Sequence, residues 1–255
     1  MPINYSRRLI GKDRTVSANQ HLGVALAFVA GAINAGGFLA VRQYTSHMTG
    51  IVSSMADRLA LGTLDQALAT ALGALLAFLA GAACCAVMVN YSRRRNMHSM
   101  YALPLLVEAT LLLLFGLLGA RLAAIDGVFV PLAVVLLCFM MGLQNAIITK
   151  VSHAEIRTTH ITGIITDIGI ELGKMAYWNR SNFPGQLPVV ADHGRLKLLS
   201  MLACSFFVGG LAGAVGFKHF GYIATVPLAI ALTALAFAPI LDDMRNLAGA
   251  TQKRR

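Results

Sequence analysis

The stretch Thr45–Gly62, TSHMTGIVSSMADRLALG, returns as TTHITGIITDIGIELG at Thr158–Gly173. The shared HxTG cores, His47–Gly50 and His160–Gly163, lie 113 residues apart. Just upstream, GAIN at Gly31–Asn34 is matched by GLQN at Gly142–Asn145, at a spacing of 111. Self-similarity at a fixed spacing is the mark of a duplicated unit, so the chain reads as two copies of one fold whose connecting loops differ by two residues.

Apolar stretches flank both motifs. They run Leu22–Val41, Leu64–Asn90, Tyr101–Ala120, Val128–Thr149, Leu198–Phe217 and Gly221–Ile240. Each is close to the roughly 20 residues a helix needs to cross about 30 Å of hydrocarbon. Of the 255 residues, 57% are hydrophobic and 13% charged, where a soluble domain carries roughly 25% charged residues. The first stretch runs into Ala35-Gly36-Gly37-Phe38 with no convincing cleavage site, which favours a retained span over a signal peptide. The expected fold is therefore all-α, a polytopic membrane bundle of about six transmembrane helices. Each copy reads as span, HxTG segment, span, span. Three spans is an odd number, so the second copy must be inverted relative to the first.

Charge gives the expected orientation, because Lys and Arg in short loops stay on the cytoplasmic side. With the amino terminus inside, Arg42, Arg58, Arg121 and Lys218 are the only basic residues of the 21 that fall outside. Counting Tyr44–Gly62 and Thr159–Trp178 as two further full spans would move Arg93, Arg94 and Arg95 outside and weaken the bias. The second segment also carries Asp167, Glu171 and Lys174, which would cost several kcal/mol facing lipid at mid-membrane. Both segments are expected to dip in and return, or to lie partly buried against the bundle. The domains follow: a cytoplasmic segment over 1–21, a first membrane repeat over 22–120, a second over 128–240, and a basic cytoplasmic tail over 241–255. A net charge of +10 is thus read as topology signal. No nucleic-acid partner is expected, since no aromatic-interleaved basic surface is present. Cys84, Cys85, Cys138 and Cys204 all fall in apolar spans and read as small core residues, with no cofactor or metal implied.

Short Gly-interrupted segments at matching places in two inverted halves point to a transporter's substrate site. Backbone that stops being helical inside a membrane must be covered by protein or face a water-filled cavity. Thr49 and Thr162 precede Gly and an apolar run as an N-cap would. Helices starting near the midplane would turn their positive ends toward one shared cavity, favouring a polar or anionic solute.

The HMTGIVSSMADRLALG stretch, FMMGLQNAIITK at Phe139–Lys150 and RTTHITGIITDIGIELG at Arg157–Gly173 resemble the uncharacterised bacterial YoaK-like family of multi-pass membrane proteins. The resemblance runs from about Val24 to Ile240 and implies architecture more than activity. Asn34 stands where that family commonly has Asp, and Ile51 where Asn often follows the MTG. Arg58 matches the family's basic residue.

The candidate substrate-binding residues are Asn34, His47, Thr49, Gly50, Glu108, Asn145, His160, Thr162 and Gly163. Asn34 and Asn145 either hydrogen-bond a solute from both sides of a pseudo-two-fold axis or glue helices together. His47 and His160 either relay protons and bind solute or satisfy free carbonyls. Glu108 lies about seven residues into a span, where a buried acid is a site candidate by default, with Arg58 or a motif His as partner. Asp167 and Glu171, four apart on one face, read as a solvated face. Gly209 and Gly213 have the spacing that lets helices approach closely. The function expected is that of a small inner-membrane permease or channel for a polar or anionic solute, with both termini cytoplasmic and a homodimer possible. A non-transporting membrane scaffold and an intramembrane enzyme are the alternatives. No nucleophile motif, HExxH, Walker or Rossmann loop supports the enzyme.

Overall fold

The computed structural model describes residues 16–95, 97, 100–122, 126–151, 160–178 and 188–237, and these are helical with short connections. In order they form α1 (Val16–Val41), α2 (Met48–Ala60), α3 (Gln66–Arg94), α4 (Ala102–Leu122), α5 (Asp126–Val151), α6 (Ile161–Ala176), α7 (His193–Phe220) and a 3-10 turn (Gly221–Ala224). A last helix, α8, covers 225–237. The expected cytoplasmic segment, apart from its end, and the basic tail lie outside the described residues, as do Arg157 and Arg180.

Five stretches are long and apolar enough to cross a membrane: Asn19–Val41, Gln66–Arg94, Ala102–Arg121, Val130–Lys150 and His193–Phe237. The last, at 45 residues, would be about 68 Å long as one straight helix, twice the hydrocarbon thickness. It is folded at Gly221, whose φ of 59° suits glycine and ends α7. A Cβ on Gly216 would lie 3.3 Å from the Ala224 Cβ; eight residues of unbroken helix would hold these about 12 Å apart, so the chain doubles back. Phe115, Phe217 and Tyr222 pack together behind the turn, Tyr222 T-shaped against both phenylalanine rings and its centroid 5.8 Å from that of Phe115.

In lipid, apolar side chains gain little by leaving their solvent, so helices associate where small residues let backbones touch. Four helices here carry Phe-x-x-Gly: Phe28–Gly31 in α1, Phe78–Gly81 in α3, Phe139–Gly142 in α5 and Phe206–Gly209 in α7. α1 crosses α7 with Gly31 against the Phe206 carbonyl and Gly209 against the Phe28 carbonyl. α3 crosses α5 in the same way, Gly81 on the Phe139 carbonyl and Gly142 on the Phe78 carbonyl. A side chain at any of the four would collide with another helix's backbone, which cannot swing aside as a side chain can. Within the first pair, contacts step by four on both helices. Ser205 Oγ donates to the Val24 carbonyl at 2.8 Å, Gly213 lies on the Ala32 carbonyl, and Gly36 on the Phe217 ring. The two helices therefore run parallel. α3 and α5 do likewise, with Gly73 beside Val135 at one end of the same contact.

These two pairs are the most closely packed in the molecule, while α1 touches α5 more sparingly. One polar link there is Gln144 Nε2 donating to the Leu26 carbonyl at 3.3 Å. α2 leans on α3 and α6 on α7.

Candidate functional site

α2 and α6 are 13 and 16 residues long, about 20 and 24 Å, too short to cross the roughly 30 Å hydrocarbon layer. Both are amphipathic and both bury an Ile at the equivalent place, Ile51 and Ile164. Ile51 thus pins α2 to the bundle.

The chain leaving α1 folds back before α2 begins. Asn34 Oδ1 accepts from the Ser46 hydroxyl at 3.0 Å and the Ser46 amide at 3.3 Å. Asn34 lies seven residues before the end of α1, about 10 Å along its axis, so α2 starts about that far below the end of the first span. Asn34 is 9% exposed and acts as a clamp on this return. Asn145, 111 residues on, holds the matching place in α5.

The helix starts differ from expectation. The N-caps are His47 and His160, not Thr49 and Thr162, and neither imidazole makes a capping hydrogen bond. Thr49 and Thr162 occupy the first turn and are exposed. Each imidazole instead folds back over the glycine three residues on, His47 over Gly50 and His160 over Gly163. This explains the HxTG pattern physically: the ring fills the space a Cβ would need.

The ends of α2 and α6 are tied to the next span by different chemistries. Asp65 caps α3, accepting from the Leu68 amide at 2.9 Å, and pairs with Arg58. That amide first, and then Arg58, holds the Asp65 carboxyl below its ordinary value. In the second half, Asp192 caps α7 through the Arg195 amide at 2.9 Å. Glu171 occupies the place of Arg58 and accepts from Lys174 Nζ at 2.8 Å and from the Asp192 amide at 2.9 Å. Asp167 pairs with Arg195 at 2.9 Å. Glu171 is buried at 1% exposure, so the solvated-face reading gives way to a clamp; its carboxyl is held low, chiefly by Lys174.

Glu108 is fully buried in α4, and neither of its oxygens has a partner among the described residues. The expected pairing with Arg58 is not present, since Arg58 faces Asp65. Gln144 is also fully buried, with its Oε1 unpaired among the described residues. The Tyr101 hydroxyl, donating to the Lys150 carbonyl at 3.3 Å, ties the start of α4 to the end of α5. Glu108 and Gln144 therefore lie at similar depth, each about 10 Å from that shared end.

The structure thus groups His47 and Gly50 with Asn34's loop, and His160 with Gly163, while Glu108 stands apart on α4. Among the described residues no hydrogen bond or ion pair joins the first motif to the second. Around the first motif lies a hollow that also takes in Arg42 and Tyr44. Sequence reading passed over both, although Arg42 is one of the few basic residues on the minority side. The four cysteines are free, and no cluster of metal-ligating side chains occurs among the described residues.

A family model described as a protein of unknown function, DUF1275, matches residues 22–238. The chain belongs to the DUF1275 family. Among curated proteins and solved structures, none matches it. The family match spans both HxTG motifs and the full set of apolar helices, which makes this a multi-pass membrane-spanning member of an uncharacterised family.

Proposed function

We propose that this DUF1275 protein is a small permease for a polar or anionic solute, built from two inverted three-span repeats. Within the family its motifs are similar to those of YoaK-like proteins. The observation that carries the reading is the pairing of helices across the halves. By their order around the two motifs, α1 corresponds to α5 and α3 to α7. Each tight pair joins the first span of one copy to the motif-following span of the other, through the same reciprocal Phe-x-x-Gly contact. Two bodies result: α1 with α7 and α6, and α3 with α5 and α2. They are closely packed within and more lightly joined between.

Rocking of one such body against another around a central site is how inverted-repeat carriers alternate access. With the amino terminus cytoplasmic, α2 re-enters from outside and α6 from inside. His47 and His160 then approach the midplane from opposite faces, with Thr49, Gly50, Thr162 and Gly163 in the first turns beside them. Glu108, buried between spans without a partner among the described residues, supplies an acid within the bilayer for coupling or solute contact. The assignment is to transport in the bacterial inner membrane and not to catalysis.

The test is a thermal-shift screen of purified protein against anions and small metabolites, followed by uptake of any stabilising solute into proteoliposomes. Uptake by the wild type, lost in His47→Ala/His160→Ala protein that still folds, is the expected result. Uptake that ignores both substitutions would overturn the central role of the motifs.

A further inference from the structure

The hollow beside the first motif has a volume of about 360 Å³, the size of a small-molecule site. Its polar wall is Arg42, Gln43, His47, Ser54 and Arg58, and its apolar wall includes Phe38 and Tyr44, whose rings stack with centroids 4.5 Å apart. We propose that this hollow binds a small organic carboxylate, with its anionic head between Arg42 and Arg58 and its apolar body against the Phe38–Tyr44 stack. As a statement about transported substrate this rests on the permease reading; as a statement about binding it stands alone.

The charge pattern selects the class. Among the described residues Arg42 has no carboxylate partner, whereas Arg58 is held by Asp65 at the rim. Asp65 also has the Leu68 amide, so a ligand can share Arg58 without leaving Asp65 bare. One uncommitted guanidinium and one shared guanidinium suit a single carboxylate, which arginine binds with two parallel hydrogen bonds. They do not suit a cation. The aromatic wall favours a ligand with an apolar body over a bare inorganic anion. Arg42 reaches the hollow from a left-handed backbone, φ 56°, a region unfavourable for a long side chain. The Asn34–Ser46 clamp fixes the return of the chain that follows.

The strained backbone supplies the test. Arg42→Gly removes the cation and relaxes the backbone at once, so the ligand-free melting temperature holds or rises while binding is lost. Arg42→Asn, which also tolerates that region, is the second variant. Calorimetric titration of the detergent-purified full chain with sodium benzoate, sodium acetate and benzylamine is the measurement. Benzoate is expected to bind at least tenfold more tightly than either control, and at least tenfold more weakly to Arg42→Gly, Arg42→Asn and Arg58→Gln. Benzoate bound no better than benzylamine, bound equally by the variants, or outcompeted by a short-chain phosphatidylglycerol would overturn the proposal. None of those results touches the permease reading, which falls only if no stabilising solute is taken up by proteoliposomes.

Discussion

The imidazole of His47 lies across Gly50, in the space where a side chain on residue 50 would have to go. His160 stands in the same relation to Gly163. The motif is thus a packing unit at the start of a short helix, and its His and Gly are coupled.

That coupling has a sign. Gly50→Ala forces the ring away and should lower stability. In a His47→Ala background the same substitution meets nothing closer than ordinary van der Waals contact, and the better helix propensity of Ala should raise stability by about 0.5–1 kcal/mol. A double-mutant cycle read by thermal unfolding in detergent checks this, and equal effects in both backgrounds would refute it.

Gly142→Ala places a methyl group against the Phe78 backbone and should cost about 1–3 kcal/mol, as overpacking does. Gly169 and Gly173 in α6 have open space around them, so Gly169→Ala and Gly173→Ala should be neutral or stabilising. Unfolding of the three variants side by side separates backbone contact from mere helix propensity.

Glu108 is buried without a partner among the described residues, and taking such a group out of water is costly. Glu108→Leu should therefore raise the melting temperature while abolishing uptake. A variant that melts lower with uptake intact would show that the acid has a structural partner.

The clamp between α6 and α7 should respond to acid. Lys174 first, and the Asp192 amide second, hold the Glu171 carboxyl below the usual range. Its contribution is then complete above the unfolded value of about 4.3 and is lost as pH falls through the lower folded value. Protection of the Asp192 amide from hydrogen exchange, corrected for intrinsic rates, should hold from about pH 7 to 5 and fall below about pH 4. Glu171→Gln should show no such acid step.

The apolar stretches were legible because a span must be apolar over its whole length, and the HxTG duplication because both copies keep the same ring-over-glycine packing. Three features were not legible. Thr49 resembled an N-cap, but the fold-back of His47 moves the start of the helix two residues earlier. The Phe-x-x-Gly crossings need partners 58 to 181 residues apart along the chain, so nothing local marks which glycine meets which carbonyl. Glu171 looked solvent-facing beside Asp167 because its partner, the Asp192 amide, arrives from 21 residues away.

The central claim is that the two HxTG helices hang from opposite faces of the membrane. Leu64, just after α2, and Trp178, just after α6, are 82% and 80% exposed. In a background lacking the four native cysteines, Leu64→Cys and Trp178→Cys are to be labelled with a membrane-impermeant maleimide. The account predicts that Leu64→Cys reacts in intact cells and Trp178→Cys only after permeabilisation; labelling of both from the same side would contradict it.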